Sequence, residues 1–172
     1  MFLKNSGSKR IILCIGLIVL LVAIDQFTKY LAVSHLMGKE SYILIPGVLE
    51  FLYLENTGIA FSLLKNQMLL FYIVTVVISI AIIVVMTKIP NRKRFHILYF
   101  LLGILLAGAL GNFIDRLIHQ YVVDFIYFSL INFPVFNVAD IYVTVSVAIM
   151  AILFIFYYKE EELSEIFEKK GK

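Results

Sequence analysis

The chain reads as an α-helical integral membrane protein, with four transmembrane helices, a small extracytoplasmic group of strands and a short interfacial helix. Three observations predict this. Of the 172 residues, 62% are hydrophobic and 16% charged, with a mean hydropathy of +0.96. A soluble domain is roughly 45–50% apolar and about 25% charged, so a water-soluble globule is excluded. The apolar residues also gather into runs that suit a hydrocarbon core about 30 Å thick, which a helix of about 20 residues crosses. Finally, Lys and Arg divide very unequally between the two sides that these runs define. The net charge of +3 is too small to argue for a nucleic-acid partner. The lone cysteine, Cys14, allows no intrachain disulfide.

We expect one membrane domain over residues 1–172, with spans at about 11–33, 68–87, 95–114 and 138–158. The uninterrupted apolar part of the first span, 11–24, covers only about 21 Å at roughly 1.5 Å per residue. To cross, this helix must carry Asp25 and Lys29 to the membrane boundary. Lys4, Lys9 and Arg10 before it, with Ala32-Val33-Ser34 after it, superficially suggest a cleaved signal peptide. The small residues lie beyond Asp25 and Lys29, past where an apolar signal core ends, so the segment is kept as a span.

The first outward loop, 34–67, is too apolar for a plain linker. Residues 41–64 read SYILIPGVLEFLYLENTGIAFSLL, with turn signals at Pro46-Gly47 and Thr57-Gly58 between β-compatible runs. Two or more short strands should lie on the membrane surface, because unpaired strand edges are too costly in lipid. The second outward loop, 115–137, is aromatic, with Tyr121, Phe125, Tyr127, Phe128, Phe133 and Phe136 suited to headgroup level. It reads as an interfacial half-helix ending before Pro134, and either as an aromatic belt or as a wall for a lipid-bearing ligand. In the tail, 159–172, Glu160, Glu161 and Glu162 mark an exposed helical end. Eleven of the fifteen basic residues fall on the side of the two termini and the 88–94 loop, so the positive-inside rule places both termini in the cytoplasm.

The four aspartates, Asp25, Asp115, Asp124 and Asp140, all fall near the outward ends of spans or in the second outward loop. Ionisable groups at membrane depth are costly and functional by default, at about 2.5–3.5 kcal/mol each on insertion scales. Asn-x-x-Asp occurs twice, as Asn112-Phe113-Ile114-Asp115 and Asn137-Val138-Ala139-Asp140, with each pair on one helical face. For Asn137 and Asp140 a capping pair is the plainer reading. Asp25 has Lys29 one turn along and Asp115 has Arg116 beside it, and a nearby cation keeps a carboxylate ionised. Asp124 and Asp140 have no basic neighbour. If they meet, repulsion makes them share one proton, so that one can accept a proton from water while the other donates to the substrate. We therefore expect a catalytic Asp124–Asp140 dyad, with Asp25, Lys29, Asn56, Gly58, Asn112, Asp115, Arg116 and Asn137 stabilising the site or binding substrate. Neither His-Glu-x-x-His nor Gly-x-Ser-x-Gly occurs, and neither a metal nor a cofactor is expected.

Asp25-Gln26-Phe27-Thr28-Lys29, Asn56-Thr57-Gly58-Ile59-Ala60-Phe61, the run from Gly108 to Arg116, Val122-Val123-Asp124-Phe125 and Phe136-Asn137-Val138-Ala139-Asp140 resemble, in order, the motif blocks of bacterial lipoprotein signal peptidase (signal peptidase II). The resemblance implies four helices with an outward β-cradle. It also implies an aspartic endopeptidase of the bacterial cytoplasmic membrane with its active site near the outer face. Its substrates would be diacylglyceryl-modified prolipoproteins, cut before the lipid-bearing cysteine. It would meet membrane lipid and globomycin-type inhibitors, and we expect a monomer. The family's catalytic pair falls on Asp124 and Asp140. Ala107 stands where many relatives have a glycine. Two rival readings are a small ion-coupled transporter and an assembly subunit with structural Asp–Arg pairs. A relay would spread acids through the bilayer depth, whereas these lie at one face.

Overall fold

The computed structural model describes residues 6–58 and 68–167. The segment Ile59-Ala60-Phe61 of the second motif block, together with Lys4, Lys65, Lys169, Lys170 and Lys172, lies outside the described residues. Along the chain run α1 (Ser6–Leu36), β1 (Tyr42–Ile45), β2 (Leu49–Asn56), α2 (Met68–Lys88), α3 (Lys93–His119), β3 (Val122–Tyr127), a 3-10 turn (Ser129–Ile131), α4 (Val138–Phe156) and α5 (Glu160–Phe167). Four helices, α1 to α4, are long and apolar enough to cross a membrane.

α3 is the central post. Half of its most apolar stretch is buried (50%), against 6% for α2, which lies at the periphery with most of its side chains exposed. α1 buries Cys14, Asp25, Lys29 and Ala32, a single face at helical spacing turned toward α3. Glycines let the backbones close in. A Cβ at Gly111 would meet Asp25 Oδ2 at 2.5 Å, and one at Gly108 would meet the Ala139 carbonyl at 2.6 Å. Small residues at such crossings are how membrane helices reach close contact. α3 also continues to His119, five residues beyond the span read from hydropathy, so Asp115 and Arg116 join Asn112 within it. It stops at Gln120, whose left-handed backbone (φ 66°) lets its N–H donate to the Arg116 carbonyl.

The strands form one antiparallel sheet in the order β1-β2-β3. β1 and β2 meet at the Pro46-Gly47 turn, where Gly47 has φ +68° and the Val48 N–H donates to Ile45 O. β3 comes from the second outward loop, where the sequence had suggested a half-helix; only Ser129–Ile131 is helical there, as a 3-10 turn. Pairing with β2 satisfies the β3 backbone on one side, with Leu54 opposite Asp124 and Asn56 opposite Val122. On its other side Ile126 bridges to Phe136.

At the far end of the bundle Arg10 donates to the carbonyls of Ile89 and Pro90, tying α1 to the α2–α3 turn. α5 folds back there through Arg92–Glu165 at 2.8 Å and an Arg94–Glu162 pair, while the Tyr158 ring stacks on Phe95. The sheet and the four aspartates thus occupy one end of the bundle, and most of the described basic residues the other.

Candidate active site

Asp124 projects from β3 and is 1% exposed. Asn56 lies diagonally across the β2–β3 ladder and donates from Nδ2 to Asp124 Oδ2 at 2.7 Å. The orientation of that amide is settled by Gly58, whose N–H donates to Asn56 Oδ1 at 2.9 Å. Gly58 can do so because it holds φ +77°, and a Cβ there would strike the Phe71 ring at 2.7 Å.

Asp140 sits in the first turn of α4, whose N-cap is Asn137. A full capping box is present, with Asp140 N–H donating to Asn137 Oδ1 and Asn137 N–H donating to Asp140 Oδ2, both at 3.1 Å. The capping reading therefore holds, and the same residue also serves the site. Asn137 Nδ2 donates to Asp124 Oδ1 at 2.6 Å and to Asn112 Oδ1 at 3.0 Å. Asn112 Nδ2 in turn donates to Asp140 Oδ1 at 2.8 Å. One buried asparagine thus links both aspartates, and no cation pairs directly with either among the described residues.

The other two aspartates are different. Lys29 Nζ lies 2.9 Å from Asp25 Oδ2 and 3.0 Å from Asp115 Oδ2, with all three side chains buried, and it donates to Asn112 Oδ1 at 2.9 Å. Burying a charge without a partner is very costly, so this triad is a closed unit. The carboxylate neighbours read from sequence were thus half right. Asp115 pairs with Lys29 rather than with the adjacent Arg116, because consecutive helical residues point about 100° apart. Arg116 instead donates to the Asn112 carbonyl at 3.3 Å and lies over the Phe71 ring at 4.9 Å, within electrostatic reach of Asp140 and Asp124.

Burial pushes the Asp124 carboxyl up to about 6. The amide from Asn56 opposes that rise, the charge of Asp140 adds to it, and Asn137 and Lys29 oppose it further. All the residues singled out from sequence therefore meet in one network. Four participants were not foreseen. Gln26 contacts both triad carboxylates, the N–H groups of Val123 and Ala139 donate to Asp115 and Asp25, and the Tyr72 hydroxyl donates to the Arg116 carbonyl. Gln26, Val123 and Ala139 stand beside an aspartate in the motif blocks, and nothing in the sequence marked Tyr72. Among the described residues no group of three or more His, Cys, Asp or Glu is placed to hold a metal.

A groove of about 810 Å³ opens beside Asp140, walled by Phe128, Phe133 and Phe136 from the loop and by Ile141, Thr144 and Val145 from α4. A second, of about 710 Å³, lies between the end of α1 and the sheet, with none of the four aspartates in its lining.

Four helices of membrane-crossing length that carry two acids linked through Asn137, one of them lining an apolar groove, suit an aspartic peptidase built into a membrane. The comparisons with known proteins agree. Residues 17–156 match the family model described as signal peptidase (SPase) II. The lipoprotein signal peptidase of Enterococcus faecalis is 42% identical over 153 residues, covering 89% of each chain. That of Caldanaerobacter subterraneus subsp. tengcongensis is 43% identical over 145 residues, covering 84% of this chain and 97% of its own. A bacterial membrane enzyme solved by the in meso method superposes with a TM-score of 0.72 at 32% identity, covering 84% of this chain and 94% of that one. The chain belongs to the signal peptidase II family. It is a multi-pass membrane aspartic peptidase of the kind that removes signal peptides from lipoproteins.

Proposed function

We propose that Asp124 and Asp140 are the catalytic dyad and that the substrate is a diacylglyceryl-modified prolipoprotein, cut just before its lipid-bearing cysteine. The observation that carries this reading is the contrast among the aspartates: Asp25 and Asp115 are neutralised by Lys29, whereas Asp124 and Asp140 are linked through Asn137 and, among the described residues, have no paired cation. Asp140 lies in the first turn of α4, where free amides and the helix dipole favour negative charge. Asp124, pushed up to about 6 by burial, is the natural holder of the shared proton.

Asp140 takes a proton from water as the oxygen attacks the scissile carbonyl carbon, and the Asp124 proton passes to the carbonyl oxygen. In the collapse of the resulting gem-diol, Asp140 returns its proton to the leaving amine and Asp124 recovers one from a hydroxyl, so the dyad ends as it began. Asn56, held by Gly58, and Asn137 with Asn112 keep the two carboxyls aimed. Arg116 supplies positive potential beside them.

The groove beside Asp140 suits an acyl chain in size and apolar lining. This favours the lipid-wall reading of the aromatic loop, and it is where a globomycin-type lipopeptide would compete. The distribution of Lys and Arg supports cytoplasmic termini and an active site near the outer face of a bacterial cytoplasmic membrane.

Purified protein in detergent should cleave a diacylglyceryl-modified prolipoprotein and leave the unmodified form uncut. Asp124→Asn and Asp140→Asn should each abolish cleavage while still binding globomycin. Near wild-type turnover by either variant would remove that residue from the dyad. Val145→Trp, which fills the groove, should raise KM by about tenfold, since excluding even two methylenes from burial costs about 1.6 kcal/mol.

A further inference from the structure

The residue preceding each catalytic aspartate is held by the same buried ion cluster. The Val123 N–H, just before Asp124, donates to Asp115 Oδ2 at 3.0 Å. The Ala139 N–H, just before Asp140, donates to Asp25 Oδ1 at 2.9 Å. Lys29 touches both carboxylates with one ammonium. Gln26 completes the unit, donating from Nε2 to Asp115 Oδ1 at 2.9 Å, to the Gly111 carbonyl at 3.1 Å and toward Asp25 Oδ2 at 3.3 Å. We propose that Asp25, Gln26, Lys29 and Asp115 form a brace that sets the spacing of Asp124 and Asp140 through these two backbone amides, and that Gln26 is a positioning residue of the reaction.

Both amides are committed to these carboxylates. The Ala139 N–H is one of the free donors in the first turn of α4, and the cap side chain of Asn137 is already taken by the Asp140 N–H. The Val123 N–H is directed out of the sheet to α3. Buried amides require partners, so each carboxylate has a fixed task. Asp115 cannot rotate without breaking the bond to Val123 on one oxygen and the bond to Gln26 on the other. α4 and β3, which carry the two catalytic acids, are thereby referred to one origin on α1 and α3. The brace rests on the dyad reading given above.

Removing Asp25, Lys29 or Asp115 strands a buried charge, so a loss there says little by itself. Gln26 is neutral and only partly buried. Gln26→Leu should fold and still bind globomycin, with KM changed by no more than about twofold, while kcat falls by about 10- to 100-fold because small misplacements of reacting groups are that costly. The alkaline limb of its kcat–pH profile should move by about half a unit or more, since repulsion between the acids depends on their separation. Ser146→Ala, a buried position of α4 outside the brace, should leave both readouts unchanged. If Gln26→Leu does not fold, Gln26→Met, which keeps the unbranched length of the side chain without its amide donor, carries the same test. Wild-type kcat and pH profile in the folded variant, or a fall in kcat with the limb unmoved, would overturn the brace. With Asp124→Asn and Asp140→Asn inactive, that result leaves the dyad standing; activity in those two variants would sink the dyad instead.

Discussion

Asp124 couples stability to pH and, on the proposed mechanism, to catalysis. Its carboxyl rises from 3.8 to about 6 on folding, chiefly through burial. A raised carboxyl favours the folded state fully below the unfolded value, and this benefit is lost as pH climbs through about 6. Above that range the buried charge costs about 3 kcal/mol, at roughly 1.36 kcal/mol per unit. Thermal unfolding in detergent should therefore show Asp124→Asn gaining stability relative to wild type between pH 4 and pH 8. A constant difference across that range would contradict the burial. On the proposed mechanism the same proton is the one donated to the substrate carbonyl, so kcat should decline as pH rises above about 6. On that mechanism stability and activity share one titration, because one buried group serves both.

At the scale of the element, the first turn of α4 joins folding to function. Asn137 is at once the cap of the helix and the link between the acids. Asn137→Ala should lose about 1 kcal/mol for the cap. Because Asp124 Oδ1 and Asn112 also lose their donor, activity should fall far more than stability does; paired unfolding and cleavage measurements check this. Asn137→Asp keeps an acceptor for the cap but places a third acid against Asp124, and it should be inactive though folded. Strands β1 and β2 were legible because Pro46-Gly47 punctuates two β-compatible runs. β3 was not, since its aromatic and apolar residues suit an interfacial helix equally well. Pairing with β2 decides for the strand, and that is a long-range event.

Across the whole molecule, α3 joins the two ends of the bundle. The end bearing the termini is tied by Arg10, Arg92, Arg94 and α5, none of which touches the aspartates. Exposed ion pairs of this sort contribute little, so Arg92→Gln should leave cleavage within roughly twofold of wild type. A larger loss would mean that the two ends communicate. Gly111→Ala is the opposite case: its new methyl would strike Asp25 inside the helix crossing, so cleavage should be lost even in protein that still folds.

The sequence by itself determined the membrane class, the four spans, the surface strands at the Pro46-Gly47 turn and the cluster of aspartates at one end. Each of these follows from local properties: runs of apolar residues, turn chemistry and the cost of charge in lipid. It also separated Asp124 and Asp140 from Asp25 and Asp115, because the two latter stand beside basic residues. Only the tertiary structure decided that Lys29 serves both Asp25 and Asp115, that Arg116 pairs with neither, and that Gln26, Val123 and Ala139 belong to the site. It also set β3 against β2 and brought Asn56 within reach of Asp124. Those contacts join segments up to 114 residues apart, and partners at such separations are chosen by how close-packed backbones bring donors to acceptors, a choice that no local pattern encodes.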